Sequence, residues 1–133
     1  MRKLYGAAHS FVLPTRGEGW GLPIVEAMAM GVAPIATMHS GPTAYLTPEN
    51  GFPLPVARQL QGGQAEPSVE ALRAAMRAAY EERGTAMAAR RSARARETAL
   101  NYSRAAVAEV VARRLRAMQR EMDLEHALDW SVS

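Results

Sequence analysis

The chain has 133 residues, of which 48% are hydrophobic and 22% are charged, and these proportions are typical of one globular domain. It contains no cysteine, which excludes disulfide bonds, thiolate metal ligands and a cysteine nucleophile. The formal net charge of +3 is compatible with anionic ligands but does not indicate nucleic acid, and no apolar run approaches the roughly 20 residues that span a bilayer.

The N-terminal residues predict a short helix followed by a strand. In residues 2–8, the spacing of Leu4, Ala7 and Ala8 predicts that these three side chains share one face of a helix. The apolar run 11–13 is ended by a proline and predicts a buried strand.

A strand, loop, helix and second strand follow one another between residues 11 and 37. Residues 23–30 predict a buried helix that is apolar nearly all round, with Gly31 at its C-terminal cap. Residues 32–37 predict another buried strand. This order implies a βαβ unit with a parallel sheet and a right-handed crossover. Two strands need neighbours to form a stable sheet, and those neighbours are not obvious in the sequence.

The residues after the second strand are mostly loops. Residues 39–43 form a polar loop, and His39 in this loop is a candidate site residue, whereas His9 precedes the first strand at the end away from the expected ligand. Residues 43–46 predict one helical turn, residues 52–56 predict a short extended piece, and residues 61–64 predict a linker-like loop.

The C-terminal half predicts only helices. Ser68 and Ser103 are suited to cap two of them, and Gly84 separates the first from an alanine- and arginine-rich helix over residues 85–100. The first and last of these helices carry apolar stripes, and the tail can fold back on the last one. The side chains concerned are Val69, Leu72, Met76 and Tyr80, then Val107, Val110, Val111, Leu115, Met118 and Met122, and in the tail Leu124, Leu128 and Trp130.

A basic run in the middle helix predicts a solvated face. No aromatic residues interleave with these arginines for base stacking, so nucleic-acid binding is not expected. Basic residues of the last helix are compatible with peripheral membrane contact. The two sets are Arg90, Arg91, Arg94 and Arg96 in the run, and Arg113, Arg114 and Arg116 in the last helix.

The loop between the first strand and the next helix is the most informative part of the sequence. Gly19 and Gly21 allow the backbone to adopt unusual conformations and to approach a ligand closely. The amides near Gly21 and Leu22 lie at a helix N-terminus, where unpaired N–H groups and the helix dipole favour an anion. Because ligands of parallel α/β sheets bind outside the carboxyl ends of the strands, we expect a phosphate or diphosphate site there.

Two glutamates refine this expectation. Glu18 lies in the loop, and Glu26 lies about one helical turn further on, so both carboxylates can face one cavity. Carboxylates repel phosphate but accept hydrogen bonds from hydroxyl pairs, so a nucleoside diphosphate sugar would fit. The alternative is that Glu26 only interacts favourably with the helix dipole and that the glycines only form a turn.

The stretch from Phe11 to Val56 resembles a known family. It reads FVLPTRGEGWGLPIVEAMAMGVAPIATMHSGPTAYLTPENGFPLPV and contains the E-x7-E pattern as Glu18 and Glu26. With its glycines and prolines in order, it is similar to the donor-binding half of the C-terminal domain of GT-B-fold retaining glycosyltransferases, the glycosyltransferase group 1 family.

The resemblance implies transfer of a sugar from a nucleotide sugar with retention of configuration, without a cofactor and usually without a metal. It implies that Glu18 contacts the donor sugar and supports catalysis, and that Glu26 binds the ribose. The residues it implies for donor binding are Glu18, Gly19, Trp20, Gly21, Leu22 and Glu26.

The resemblance also implies an organisation for the chain. Residues 1–60 would be a partial Rossmann-like segment that binds the nucleotide sugar, and residues 61–133 would be C-terminal helices that pack on the same domain. The acceptor would bind to a separate N-terminal domain or partner chain, so we expect this chain to be a fragment that is inactive alone. We also expect a location in the cytoplasm or at the cytosolic face of a membrane. The alternative is a non-catalytic remnant or interaction module that keeps the fold.

Overall fold

The structure is a computed structural model that describes residues 2–129, with side chains from residue 3 to residue 123. The chain divides into two compact units, Met1–Leu100 and Asn101–Ser133. The predicted division at residue 60 stays a prediction. In chain order, the elements are α1 (Arg2–Gly6), β1 (Ser10–Leu13), α2 (Leu22–Ala29), β2 (Ala33–Thr37), β3 (Phe52–Leu54), β4 (Val56–Gln59), β5 (Ala65–Pro67), α3 (Val69–Glu81), α4 (Ala86–Leu100) and α5 (Arg104–Asp129).

A three-stranded parallel sheet lies at the centre of the first unit. Its middle strand is β2, which is buried along its whole length and pairs with β1 and β3. Val12 lies opposite Ile35, and Ile35 lies opposite Phe52. The parallel pairing of β1 and β2 across α2 confirms the predicted βαβ unit. The fold is therefore of the mixed α/β class, with a parallel sheet and C-terminal helices.

The third strand was not identified from the sequence. Residues 52–56 were predicted as one extended piece, but they divide at Pro55 between β3, which joins the parallel sheet, and β4. β3 has only three residues, and its central Pro53 lacks the N–H group that a strand normally donates. A backbone hydrogen bond from Met38 N to Leu54 O, 2.8 Å long, continues the pairing beyond β2.

Three helices pack on this sheet. α2 contacts β1 and β2, α4 contacts α2 and β2, and α3 contacts β2 and β3. α2 buries Ile24 and Met28, while α4 contributes the small side chains Ala95 and Ala99 to the core. Small side chains let two helices approach closely at interior packing density. As predicted, Gly31 ends α2 in a left-handed conformation, with φ of +73°.

Four elements are less buried than their apolar patterns indicated. Leu4 of α1 is 71% exposed, because α1 is anchored instead by Tyr5, whose ring packs edge-on against Phe11. Val12 of β1 and four residues of α2 are exposed, so neither element is covered on every side. The stripe on α3 is also largely exposed. The residues concerned are Leu22, Pro23, Glu26 and Ala29 in α2, and Val69, Met76 and Tyr80 in α3.

The predicted solvated face of arginines is wrong at Arg91. Its side chain is only 14% exposed and forms an ion pair of 3.1 Å with Glu82. It also donates hydrogen bonds to the carbonyls of Pro48 and Gly51 and lies over the ring of Phe52, 4.3 Å from its centre. We call this cluster the Arg91 corner. It joins the end of α3, the turn before β3 and α4.

Asn50 joins the same turn to α4 from another side. The residue is buried, and its Nδ2 donates to the carbonyl of Tyr45 at 2.8 Å and to Oγ1 of Thr98 at 3.1 Å. Its Oδ1 accepts from the amide of Thr47 at 2.8 Å. Every polar atom of this buried amide therefore has a partner, as interior packing requires.

The residues predicted as a linker are the tip of an antiparallel hairpin of β4 and β5. Gly62 and Gly63 turn the tip with φ of +72° and +75°, a region that favours glycine. The hairpin leads directly into α3. Ser68 caps α3 as predicted, because its Oγ accepts from the amide of Ala71 at 3.1 Å.

The second unit is dominated by α5. Ser103 caps it as predicted, with its Oγ accepting from the amide of Ala106 at 3.3 Å. The apolar side chains of the predicted stripe, from Val107 to Met122, are all exposed. The side chains of Leu124 and Leu128 and the whole of Trp130 lie outside what the structure describes, so the fold-back of the tail stays a prediction.

Candidate functional site

The glycine loop, residues 14–21, connects β1 to α2 at the edge where the parallel strands end, which we call the carboxyl edge. Gly21 is the N-cap of α2 and has φ of +83°, which an L side chain rarely adopts. A Cβ atom at Gly21 would also lie 2.7 Å from the hydroxyl of Tyr45 and 2.9 Å from Cδ1 of Ile24. Only glycine fits this position without displacement of its neighbours.

A second loop, residues 38–46, follows β2 and holds the glycine loop through backbone atoms. The hydroxyl of Ser40 accepts from the amide of Glu18 at 3.0 Å and donates to the carbonyl of Glu18 at 2.7 Å. The amide of Gly41 donates to the same carbonyl at 3.1 Å. Ser40 adopts φ of +51°, which is uncommon for a residue with a side chain and often marks a functional site.

Close approach of the two loops explains Gly41. A Cβ atom there would lie 2.6 Å from the carbonyl oxygen of Gly19 and 2.6 Å from Cα of Trp20. Both contacts are to backbone atoms, which cannot rotate away as a flexible side chain can. The glycines on the two loops are therefore matched to each other.

Tyr45 is a site residue that the sequence analysis missed. It is buried, and its hydroxyl donates to the carbonyl of Trp20 at 2.8 Å and lies 3.3 Å from that of Gly21. Its ring packs 5.3 Å from the ring of Trp20. The signal was a tyrosine in the predicted helical turn of residues 43–46, where a buried hydroxyl needs a partner.

As expected, the N-terminal end of α2, with its N–H groups, directly follows the glycine loop. Leu22 is the first residue of α2, and an N–H group in a first turn has no acceptor within its own helix. The amides of Ile24 and Val25 turn back to the carbonyl of Gly21, at 2.9 and 3.2 Å. The side chain of Leu22 is exposed. The amide end of α2 thus lies next to the glycine loop, where an anion is favoured.

The two glutamates have different surroundings. The backbone of Glu18 is fixed by the second loop, and this residue is half-buried. Oε2 of Glu26 accepts a hydrogen bond of 3.4 Å from the hydroxyl of Tyr5, which belongs to a buried cluster with Ala27 and Val32. Burial raises the pKa of Tyr5, and the charge of the Glu26 carboxylate raises it further. The shared cavity of the two glutamates stays a prediction.

The β4–β5 hairpin forms a third side of this region. The amide of Ala65 donates to the carbonyl of Arg16 in the glycine loop at 2.8 Å. Nε2 of His39 in the second loop lies 2.8 Å from the carbonyl of Gly63, to which it donates in the tautomer that carries the Nε2 proton. His39 therefore has a contact within the chain. The hairpin was missed because its strands are short and polar.

Two further findings concern a metal site and a membrane-spanning helix, and both apply only to the residues that the structure describes. Within the residues that the structure describes, no three His, Asp or Glu side chains form a group that could hold a metal ion. Over the same residues, no helix is both long and apolar enough to cross a membrane. His9 is exposed and lines a small cavity with Arg83 where β1 begins, away from the carboxyl edge.

The fold and the site together define an α/β protein with a glycine loop at the carboxyl edge of a parallel sheet. The family described as glycosyl transferases group 1 matches residues 1–82, which is more than half of the chain. The chain therefore belongs to this family. The match includes the glycine loop, the second loop, the hairpin and α3. No match was found among the curated proteins.

Proposed function

We propose that this chain binds the nucleotide-sugar donor for retaining glycosyl transfer, as part of a GT-B fold whose Rossmann-like C-terminal domain it helps to form. Membership in a glycosyltransferase family supports glycosyl transfer as the reaction class. The single observation that carries the donor-binding proposal is the fixed position of the glycine loop at the carboxyl edge, where Ser40, Gly41 and Tyr45 bind its backbone.

Each part of the loop has a role in this proposal. The amides of Gly19, Trp20, Gly21 and Leu22 bind sugar hydroxyls and the diphosphate, because N–H groups at a helix start favour an anion. The Glu18 carboxylate accepts hydrogen bonds from the donor sugar. The bond between the anomeric carbon and the diphosphate oxygen breaks, the oxygen of an acceptor hydroxyl bonds to the same face of that carbon, and the hydroxyl proton passes to the departing diphosphate. Fixed amides stabilise the charge on the departing diphosphate without reorganisation.

We also propose where the acceptor binds, how the chain is organised and where the protein acts. The acceptor binds to an N-terminal domain or partner chain, and residues 1–60 and 61–133 act as the donor-binding segment and its supporting helices. Glu26 binds the ribose hydroxyls of the donor. No metal or cofactor takes part, nucleic acid is not a ligand, and the protein acts in the cytoplasm or at the cytosolic face of a membrane, where the basic helix α5 can contact lipid.

Saturation-transfer NMR with UDP, GDP and ADP sugars tests the proposal. We expect one of these donors to bind, and we expect Glu18→Gln to weaken its binding roughly tenfold or more, since a hydrogen bond to a charged group contributes about 1.5–3 kcal/mol. Glu81→Gln, at the exposed end of α3, is the matched control and should bind as the unmodified chain does. A folded chain that binds none of the three donors would contradict donor binding.

One observation favours a second function, in which the chain is a non-catalytic interaction module. The hydrogen bond of Glu26 to Tyr5 shows that at least one of the two glutamates also takes part in packing. Glu26→Gln and Tyr5→Phe separate the two roles. If Glu26 binds ribose, only Glu26→Gln weakens nucleotide binding. If its role is packing, both variants lower the melting temperature and neither changes nucleotide binding.

A further inference from the structure

The β4–β5 hairpin adds charged residues to the carboxyl edge that the family resemblance did not supply. Its backbone is fixed to both loops of the candidate site, through Ala65 to Arg16 and through Gly63 to His39. Arg58 of β4 and Glu66 of β5 are cross-strand partners in the hairpin. The side chains of these strands therefore have a defined position relative to the glycine loop.

Glu66 brings two arginines together. One of its carboxylate oxygens lies 2.7 Å from the guanidinium of Arg58, and the other lies 3.8 Å from that of Arg16. The side chains of Arg16 and Arg58 are 62% and 70% exposed. A guanidinium has five N–H donors, so one carboxylate leaves most donors of both arginines available. Two cations and one anion also leave this cluster with a net positive charge.

The candidate donor site needs such a charge. Apart from Arg16, the glycine loop offers a diphosphate only the partial charges of backbone amides, and the loop carries the negative charge of Glu18. Arginine is suited to phosphate because its planar fork donates two parallel hydrogen bonds to phosphate oxygens. Arg16 belongs to the same loop as Glu18, two residues before it, and Arg58 pairs with the same carboxylate as Arg16.

We propose that Arg16 and Arg58 bind the diphosphate of the donor. The proposal rests on the proposed function, since it assigns the charged contacts of that same site. Arg16 comes from the glycine loop and Arg58 from the hairpin, so the hairpin is part of the donor site rather than a connection to α3. The positive charges of the two guanidiniums stabilise the negative charge that develops on the diphosphate when the sugar leaves.

Isothermal titration calorimetry with UDP, GDP and ADP, and with the matching nucleosides, tests this assignment. We expect Arg16→Ala and Arg58→Ala each to weaken binding of the preferred nucleoside diphosphate about tenfold, with binding of the nucleoside unchanged. Binding should also become less sensitive to salt, because fewer charges face the anion. Arg83→Ala is the matched control, since Arg83 lies over the ring of Tyr80 beside the start of β1.

The outcomes separate the two proposals. If the unmodified chain binds a nucleoside diphosphate and both arginine variants bind it equally well, the arginine assignment is wrong and the donor site stands. If the unmodified chain binds none of the three, the proposed function and the assignment both fail. Arg16→Lys distinguishes charge from geometry in a variant that keeps the ion pair with Glu66. It should bind more weakly than the unmodified chain and more tightly than Arg16→Ala.

Discussion

The Arg91 corner and the carboxyl edge use the same residue types in opposite ways. At the corner, one guanidinium is surrounded by Glu82, two backbone carbonyls and the ring of Phe52, and 14% of its side chain remains exposed. At the carboxyl edge, Arg16 and Arg58 share one carboxylate and remain mostly exposed. An arginine whose donors are used within the chain stabilises the fold, whereas one with available donors can bind a ligand.

The glycines of the two loops also differ in whether their position is fixed by contacts. Gly41 lies so close to the glycine loop that a Cβ atom would overlap backbone atoms, whereas a Cβ atom on Gly17 would meet nothing within 4 Å. Both belong to the loops of the candidate site. Gly41 is required by packing between the loops, and Gly17 is not required by any contact. The contrast between satisfied and available groups gives three predictions, in order of decreasing effect on stability.

Arg91→Ala should destabilise the chain by about 3 kcal/mol, because it leaves the mostly buried Glu82 carboxylate and two carbonyls without their partner. Urea unfolding followed by circular dichroism measures this change. Arg90→Ala is the control, since Arg90 is the exposed neighbour in the same helix turn. Equal stability of the two variants would contradict the structural role of Arg91.

Gly41→Ala should destabilise the chain by about 2 kcal/mol and should weaken nucleoside diphosphate binding, because the new methyl group forces the two loops apart. Thermal unfolding gives the first quantity and calorimetric titration gives the second. Gly17→Ala adds the same methyl group in open space and should leave both quantities unchanged. If Gly41→Ala behaves like Gly17→Ala, the close approach of the loops is not required.

Glu49→Gln should have the smallest effect, and the effect should depend on pH. A hydrogen bond with Thr47 lowers the pKa of Glu49 below its ordinary value of 4.5, with smaller contributions from its own backbone, Arg94 and Arg91. Because the folded chain prefers the ionised carboxylate, this contribution is present above pH 4.5 and is lost as the pH falls through the lowered pKa. Urea unfolding at several pH values measures it.

The control for this measurement is Thr47→Ala. Without the threonine, the carboxylate loses its principal partner, so the stability difference between glutamate and glutamine at position 49 should shrink at neutral pH. A difference that persists unchanged from neutral to strongly acidic pH would show that ionisation of Glu49 does not contribute.

Local patterns predicted the parts of the fold whose causes are local. Ser68, Ser103 and Gly31 were identified as caps because capping depends on a residue and its neighbours within a few positions. The buried strand β2 and the glycine loop were predicted from an apolar run and from the residues beside it. The parallel pairing then followed from the βαβ order.

Contacts between distant residues could not be predicted in this way. Arg91 meets Gly51 across 40 positions, and Tyr45 meets Trp20 across 25 positions, so no local pattern records either contact. β3 was missed because a three-residue strand with a central proline has little intrinsic preference and depends on β2. The chain at Arg58 is polar, so its place in a hairpin was not visible either.

The second loop binds Glu18, Trp20 and Gly21 by their backbone atoms, and this has a consequence for engineering the protein. Replacement of the Glu18 or Trp20 side chain leaves intact the hydrogen bonds that Ser40 and Tyr45 make to those carbonyls. A library that randomises positions 18 and 20 can therefore test the proposed sugar contacts on one scaffold. Positions 21 and 41 should be kept as glycine in every member.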